Sequence, residues 1–446
     1  GVMKKPPKFV ITETDEFLTS YGGLAMIGAL AHSCGLAQNI RNALPAKKAG
    51  AVGSDDTVIS MVGLLSLAKP DFTAIEQFRE DDYFKTTLGL TTVPSEPTLR
   101  QRMDEIAVPE VYNQILHSSA ELLRKHAPEI TPCFKDYIAL DADVSPFDNS
   151  GSSKEGVSCT YKMMDGYAPI FAYIGNEGYL LNAQLREGKQ HCQKDTPEFL
   201  RKTFQLARQV TDHKFILRLD SGNDDLDNID VCRKAKVEFI IKRNLRKESI
   251  DEWLIDAQAL GDWRTPRDGK TVYVGETIRE RGGQSIRVVF EVTETSVTAE
   301  GQAMLVPEIE VNTWWVSLNP RTATPDDVIA LYKGHGTSEQ YHSELKSDMD
   351  LERFPSGKFA TNALILTLAV PVFNMLRICG QEGIKNGFVP ARKKVSRRRI
   401  RTVIQDLMYM AIRVVMHAHR VYLAFSKRNP LREIWSKTYI SFVATG

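Results

Sequence analysis

Three short stretches of this sequence place a carboxylate where a cation could be held. In Leu140-Asp141-Ala142-Asp143-Val144-Ser145, two aspartates interrupt an apolar run. Strand alternation would put both on one face, with Leu140 and Ala142 opposite. A carboxylate inside a buried strand is costly unless it is paired or binds metal. Asp143, nearer the carboxyl end, ranks as the ligand and Asp141 as its neighbour or support, though spacing alone leaves their order open. In Leu217-Arg218-Leu219-Asp220-Ser221-Gly222 an apolar strand ends in an acid that could equally cap the next turn. The third is Glu339, between Tyr332 and Lys346 at seven residues from each, with His335 four residues before it. Seven residues is about two helical turns, so all three would share one face of a continuous helix. A solvent-exposed amphipathic helix would show the same pattern. If the acids converge, they suit hard cations such as Mg²⁺ or Mn²⁺. Two such ions can activate an attacking oxygen and stabilise a leaving one in phosphodiester cleavage and transfer.

The elements that must position these acids follow an α/β order. Strands are expected over Tyr137–Val144, Val157–Met163 and Pro169–Ile174, the last two joined by a turn at Met164-Asp165-Gly166. Asp195-Thr196-Pro197-Glu198 opens a helix running to about Val210. A strand over Lys214–Asp220, a helix near Leu226–Lys234 and a strand over Val237–Ile241 follow. Residues 245–315 are β-rich, and Trp314–Leu318 closes that module as a strand. Asp326–Asp348 is then a long helix interrupted by Gly334 and Gly336, and the chain from about 360 is helical. The first 110 or so residues are helical too, with Ser95 capping a short helix that carries paired arginines, compatible with a helix-turn-helix. Three strands, helix, strand, helix, strand and a late helix match a ribonuclease-H-like core. The expected fold is therefore α/β: that core with an inserted β-rich module, flanked by helical N- and C-terminal regions. The implied boundaries are 1–130 (helical), 131–244 (first part of the core), 245–315 (inserted module), 316–378 (last part, with the glutamate helix) and 379–446 (basic, helical).

With 446 residues, 42% hydrophobic and 25% charged, the composition is that of a globular protein. No apolar stretch approaches a membrane span; the best, Ala363–Leu376, is interrupted by Thr367, Pro371 and Asn374. No apolar region follows the basic start, so no secretory signal is expected. Six scattered cysteines without a C-x2-C pair argue against a zinc site and a disulfide framework, and fit a reducing cytoplasm. Net charge is only +1, so affinity for nucleic acid must come from local patches, of which residues 391–401, with Arg397, Arg398 and Arg399, are the densest. A solvated linker would look the same. Trp314-Trp315 could stack on a base, but core packing is the plainer use, and His191-Cys192 is half a metal site without a partner pair.

Tyr332-x2-His335-x3-Glu339-x6-Lys346 resembles the Tyr-x2-Arg-x3-Glu-x6-Lys signature of DDE transposases from one large branch of bacterial insertion sequences. All three spacings match, and three of four identities. Leu140–Ser145 resembles that family's first-aspartate strand, Arg218–Gly222 its second, and the likeness extends over nearly the whole chain. It implies that Asp143, Asp220 and Glu339 hold two Mg²⁺ ions, for which Mn²⁺ can substitute. Tyr332, His335 and Lys346 would contact DNA phosphates. The N-terminal helices and the basic tail would bind terminal inverted repeats, with a homodimer pairing two ends. The implied reaction is cut-and-paste transposition through a DNA hairpin, by a cytoplasmic, nucleoid-associated bacterial enzyme. His335 is the departure, since arginine gives a permanent two-pronged phosphate contact and histidine is mostly neutral near pH 7. Rivals are a catalytically silent DNA-binding descendant, for which His335 speaks, and a stand-alone nuclease of the same fold.

Overall fold

The computed structural model describes residues 5–46, 48–390 and 394–444. Its centre is five strands: β1 (Tyr137–Val144), β2 (Ile170–Ile174), β3 (Tyr179–Gln184), β4 (Lys214–Leu219) and β5 (Glu238–Lys242). β1 pairs antiparallel with β2 on one side and parallel with β4 on the other. β3 continues antiparallel beyond β2, and β5 continues parallel beyond β4. Seven of the eight residues of β1 are buried, as expected of a strand covered on both faces. The covering helices include α1 (Pro109–His126), α2 (Thr196–Val210) between β3 and β4, and α3 (Leu226–Ala235) between β4 and β5.

After α4 (Ile250–Leu260) the β-rich stretch forms a meander of β6 (Asp262–Arg267), β7 (Lys270–Arg281), β8 (Gln284–Val297) and β9 (Ala303–Val316). It is hydrogen-bonded into the central sheet. The last residues of β9, Trp314 to Val316, pair with Lys242 to Ile240 of β5. The result is one nine-stranded sheet in the order β6-β7-β8-β9-β5-β4-β1-β2-β3.

A continuous helical run follows: α5 (Pro325–Lys333), a 3₁₀ turn (Gly334–Thr337), α6 (Ser338–Ser343) and a π turn (Glu344–Asp348). Thr324 and Asp327 cap α5 reciprocally. The glycines thus tighten the expected helix without breaking it. A Cβ on Gly334 would come within 2.4 Å of Arg218 Nη1, so any other residue would have to push that guanidinium aside. Next, α7 (Phe359–Lys385) runs unbroken past Thr367, Pro371 and Asn374. Its most apolar window is long enough to cross a membrane by composition, but 94% of that window is buried within the protein. Asn374 spends its amide on β3, accepting from Leu180 N (2.8 Å) and donating to Leu180 O (2.7 Å).

Two stretches differ from the sequence expectation. Residues 157–163 contain only a two-residue strand, Ser158–Cys159, in a small separate ribbon, and the third core strand is β3. β3 has five consecutive buried residues and hence no alternation to mark it. The C-terminal region is not wholly helical: Ile412–His417 and Arg420–Ala424 form a hairpin, and Phe17–Thr19 adds to it as a third strand. β-branched residues favour the strands, and Ala418 and His419 both take the positive φ (49° and 67°) of a two-residue hairpin turn.

Candidate metal centre

Asp141 and Asp143 both belong to β1, but the neighbouring strands give them different work. In register, Asp141 faces Arg218 on parallel β4, and Asp143 faces Phe171 on β2. Arg218 grips both Asp141 oxygens at 2.6 Å and donates a third bond to Leu331 O at 2.7 Å, at the end of α5. His335 Nδ1 completes the arrangement at 2.8 Å from Asp141 Oδ1. Burial alone would raise the Asp141 carboxyl, but Arg218 and His335 hold it down to about 2. Asp141 is thus a fully engaged buried anion. Against the pull of burial, the same bond raises the His335 imidazole above its ordinary value and favours its cationic form. His335 is 7% exposed. This places it behind the site, which corrects the expectation of a phosphate contact: the side chain is turned inward by Asp141.

Asp143 sits one pleat further along. His342 Nε2 lies 3.2 Å from Asp143 Oδ2, and His342 Nδ1 lies 2.7 Å from the Tyr173 hydroxyl. Burial and the neighbouring acids push the Tyr173 hydroxyl far up, so it stays protonated. Burial raises the Asp143 carboxyl, but the His342 bond, the two nearby imidazoles and the contact with Asp220 together lower it. Asp143, Glu339 and His342 each offer one donor atom, all within 4.8 Å of one another.

Asp220 follows the last residue of β4. It accepts from Gly222 N at 3.1 Å, so it caps the 3₁₀ turn at Ser221–Asn223, as its position suggested. It also lies within hydrogen-bonding reach of Asp143. Burial and the Asp143 charge push its carboxyl up to about 6. Two carboxylates held this close in a partly buried cleft repel, and a divalent cation between them removes the conflict. The donor set, carboxylate oxygens with one imidazole nearby, fits such a cation. A metal held between Asp143 and Asp220 would have to displace the proton on Asp220, so its affinity should fall with acidity. We expect apparent Mn²⁺ affinity, read by titration calorimetry, to weaken towards tenfold per pH unit below about 6, with proton release on binding. A flat affinity across that range would contradict a shared Asp143–Asp220 site.

Glu339 reaches this cleft from α6 and is itself exposed. Tyr332 packs between Trp314 (ring centroids 5.7 Å) and His335 (5.6 Å). Burial first, then the charges of Asp220, Asp143 and Asp141, raise its hydroxyl. Lys346 stands over the Phe147 ring at 5.4 Å, and burial lowers its ammonium. Tyr161, 64% exposed, is raised to about 12 by burial and by Asp143, Asp220 and Glu339, which puts it at the mouth.

The basic segment is engaged with the protein instead of standing free. Ala391, Arg392 and Lys393 lie outside the described residues. Arg397 bonds Gln340 and covers the Tyr341 ring, and Arg398 covers Phe388. Arg399 and Arg401 clamp the buried Asp348 at 2.9 and 3.2 Å. Beside them, Glu344 pairs with Arg377 at 2.7 Å, with both side chains almost fully buried. The segment is a strap over the end of the glutamate helix, held by the pairing of Arg399 and Arg401 with Asp348 and by the Ile400 N–H donating to Glu344 at 2.8 Å.

Sequence reasoning missed three contributors: His342, Arg218 and Tyr173. A signal existed for His342, three residues after Glu339 and so on the same helix face. Arg218 and Tyr173 become neighbours of the acids only through strand register. We expect His342→Ala to weaken metal binding and DNA cutting roughly 10–100-fold, the usual scale for a group that orients a ligand. Unchanged metal affinity in this variant would show that Asp143 needs no such orientation.

The sequence profile of one family, described as "Transposase DDE domain group 1", matches residues 3–443. No curated protein matches. Among solved structures, a cryo-EM structure of a piggyBac transposase synaptic complex with hairpin DNA is similar at 12% identity and a TM-score of 0.39, over 89% of this chain and 83% of that one. A family profile that spans nearly the whole chain, over a cleft that gathers two aspartates and a glutamate, establishes that this protein belongs to the DDE-domain transposases and is an enzyme of that family.

Proposed function

We propose that the chain cuts and rejoins DNA at the ends of an insertion sequence, with Asp143, Asp220 and Glu339 holding two Mg²⁺ ions for which Mn²⁺ can substitute. The observation that supports this reading most is that Asp143 and Glu339, remote in sequence, offer donor atoms within 4.8 Å of one another and of His342, while Asp220 at the end of β4 lies close enough to Asp143 for their charges to interact. The strand order β3-β2-β1-β4-β5, with β2 antiparallel, supports a ribonuclease-H-like core, and the meander β6–β9 would be its insertion. When bound, the metal would supply Lewis acidity to the attacking and leaving oxygens.

The protein's own groups do the rest. Asp143 is aimed by His342, Asp220 by the Gly222 amide, and Glu339 by a helix tied to the sheet through Arg218. Tyr332 and Lys346 would contact the phosphates beside the scissile bond, and Tyr161 the nucleotide at the mouth. The divisions 1–130 and 379–446 would recognise terminal repeats and pair two copies on DNA, and the flanking strand would be released through a hairpin. Arg399 and Arg401 are the exposed members of the strap and the ones available to a phosphate.

The test is cleavage of labelled duplexes carrying the element's ends, with Mg²⁺ or Mn²⁺, followed by a joining assay with target DNA. End-specific cutting and joining support transposition. Cutting without joining would turn the reading into a nuclease, and binding without cutting into a silent descendant.

A further inference from the structure

We infer that residues 5–11 form an exchanged arm that seats in an acidic, apolar groove on a second copy of this chain. Every residue from 5 to 18 is exposed, and Phe9, Val10 and Ile11 are 84%, 88% and 93% exposed in succession. Three adjacent large apolar side chains in solvent are not the scattered exposure that surfaces normally carry. Lys5 and Lys8 precede them, so the segment Lys5-Pro6-Pro7-Lys8-Phe9-Val10-Ile11 is both basic and apolar.

The complementary surface lies at the other end of the same chain. A groove of about 1380 Å³ runs between helix Leu24–Ser33, helix Arg432–Val443 and the hairpin Ile412–Ala424. Ala29, Ile59, Leu88, Tyr422, Ile440 and Val443 line it, and Tyr422, Ile440 and Val443 are about half exposed. Asp15, Glu16, Asp55, Asp56 and Asp82 also line it, against Arg41, Arg413 and His32, so its described lining is net acidic. Arg41 is held by Asp55 at 3.0 Å and Arg413 by Glu16 at 2.9 Å, while Asp15 and Asp82 make no ion pair among the described residues. A basic, apolar strand matches that lining in both charge and hydrophobicity.

The occupant is a second copy because the arm cannot easily serve its own groove. Asp15 and Glu16 line its rim, yet Phe9, Val10 and Ile11, only a few residues before them, stay 84%, 88% and 93% exposed, so the arm does not fill the groove of its own chain. A reciprocal exchange would give the two-copy assembly its interface. It is relevant to the reading above for its use, but its geometry stands apart from the metal centre.

Sedimentation velocity of the full chain, without metal or DNA, tests this at tens of micromolar. Wild type should sediment as a dimer, and Phe9→Ser/Val10→Ser/Ile11→Ser, which alters only exposed side chains, as a monomer. A fluorescent peptide of residues 5–11 should bind that arm variant. Adding Ile440→Asp should weaken peptide binding roughly tenfold or more. A monomeric wild type overturns the inference, whether the groove is empty or takes its own arm. A dimer that survives the arm variant overturns it, and so does a peptide that fails to bind. None of these readings involves DNA cutting, so a failure here and a failure of the metal centre are distinguishable.

Discussion

Asp143→Asn should lower DNA end cleavage by about 10³-fold or more, at least ~4 kcal/mol of transition-state stabilisation, while the protein folds and still binds DNA. The side chain keeps its shape and its place beside His342, but it loses the charge that a cation between Asp143 and Asp220 requires. Asp220→Asn and Glu339→Gln should behave alike, and the effects should not add, because one site is being dismantled in each case. The check is cutting under single-turnover conditions with Mg²⁺ and Mn²⁺, with binding followed by gel shift. Cutting within tenfold of wild type in Asp143→Asn would remove Asp143 from the site.

Asp141→Ala should act in the opposite way: its primary loss is stability. Removing Asp141 leaves Arg218 with an unpaired guanidinium, both side chains being about 5% exposed, and leaves His335 without its anion. Breaking a buried pair by deleting one partner typically costs 3–5 kcal/mol, about 4 in round terms. The melting midpoint should drop by several degrees and soluble yield should fall. Replacing the whole cluster, with Asp141→Leu, Arg218→Met and His335→Leu together, should recover part of the loss, since no charge is then stranded. A single Asp141→Ala that melts like wild type yet cannot cut would make Asp141 a ligand after all.

These two experiments separate residues that the sequence could rank but not divide. Alternation in Leu140–Val144 put both aspartates on one face, and proximity to the strand end favoured Asp143. What assigns Asp141 its partner is the parallel register of β1 with β4, which sets it opposite Arg218. No local pattern carries that information. The glutamate helix was legible because seven-residue spacing survives in one dimension. His335 was read as outward-facing because a helical repeat shows which residues share a face, not which face is buried. The strap at 397–401 was legible as charge but not as contact, since Asp348 is neutralised only once the chain returns from α7. β3 was hidden for the reverse reason: burial on both faces erased the alternation that reveals a strand.

The helical run from Pro325 to Asp348 changes its winding twice, tight at Gly334–Thr337 and loose at Glu344–Asp348. The first lies between Tyr332 and Glu339, and the second begins between Glu339 and Lys346. A 3₁₀ turn advances each residue further around the axis than an α turn, and a π turn advances it less. The two phase errors have opposite sign and offset one another. By that winding Tyr332 and Lys346 stay near one meridian, with Glu339 between them shifted in phase. The run therefore works as a phase shifter with fixed ends, and its tolerance for length change is small. Deleting a single residue from either turn would swing everything beyond it by about 100°, carrying Lys346 away from Tyr332 even with every side chain intact.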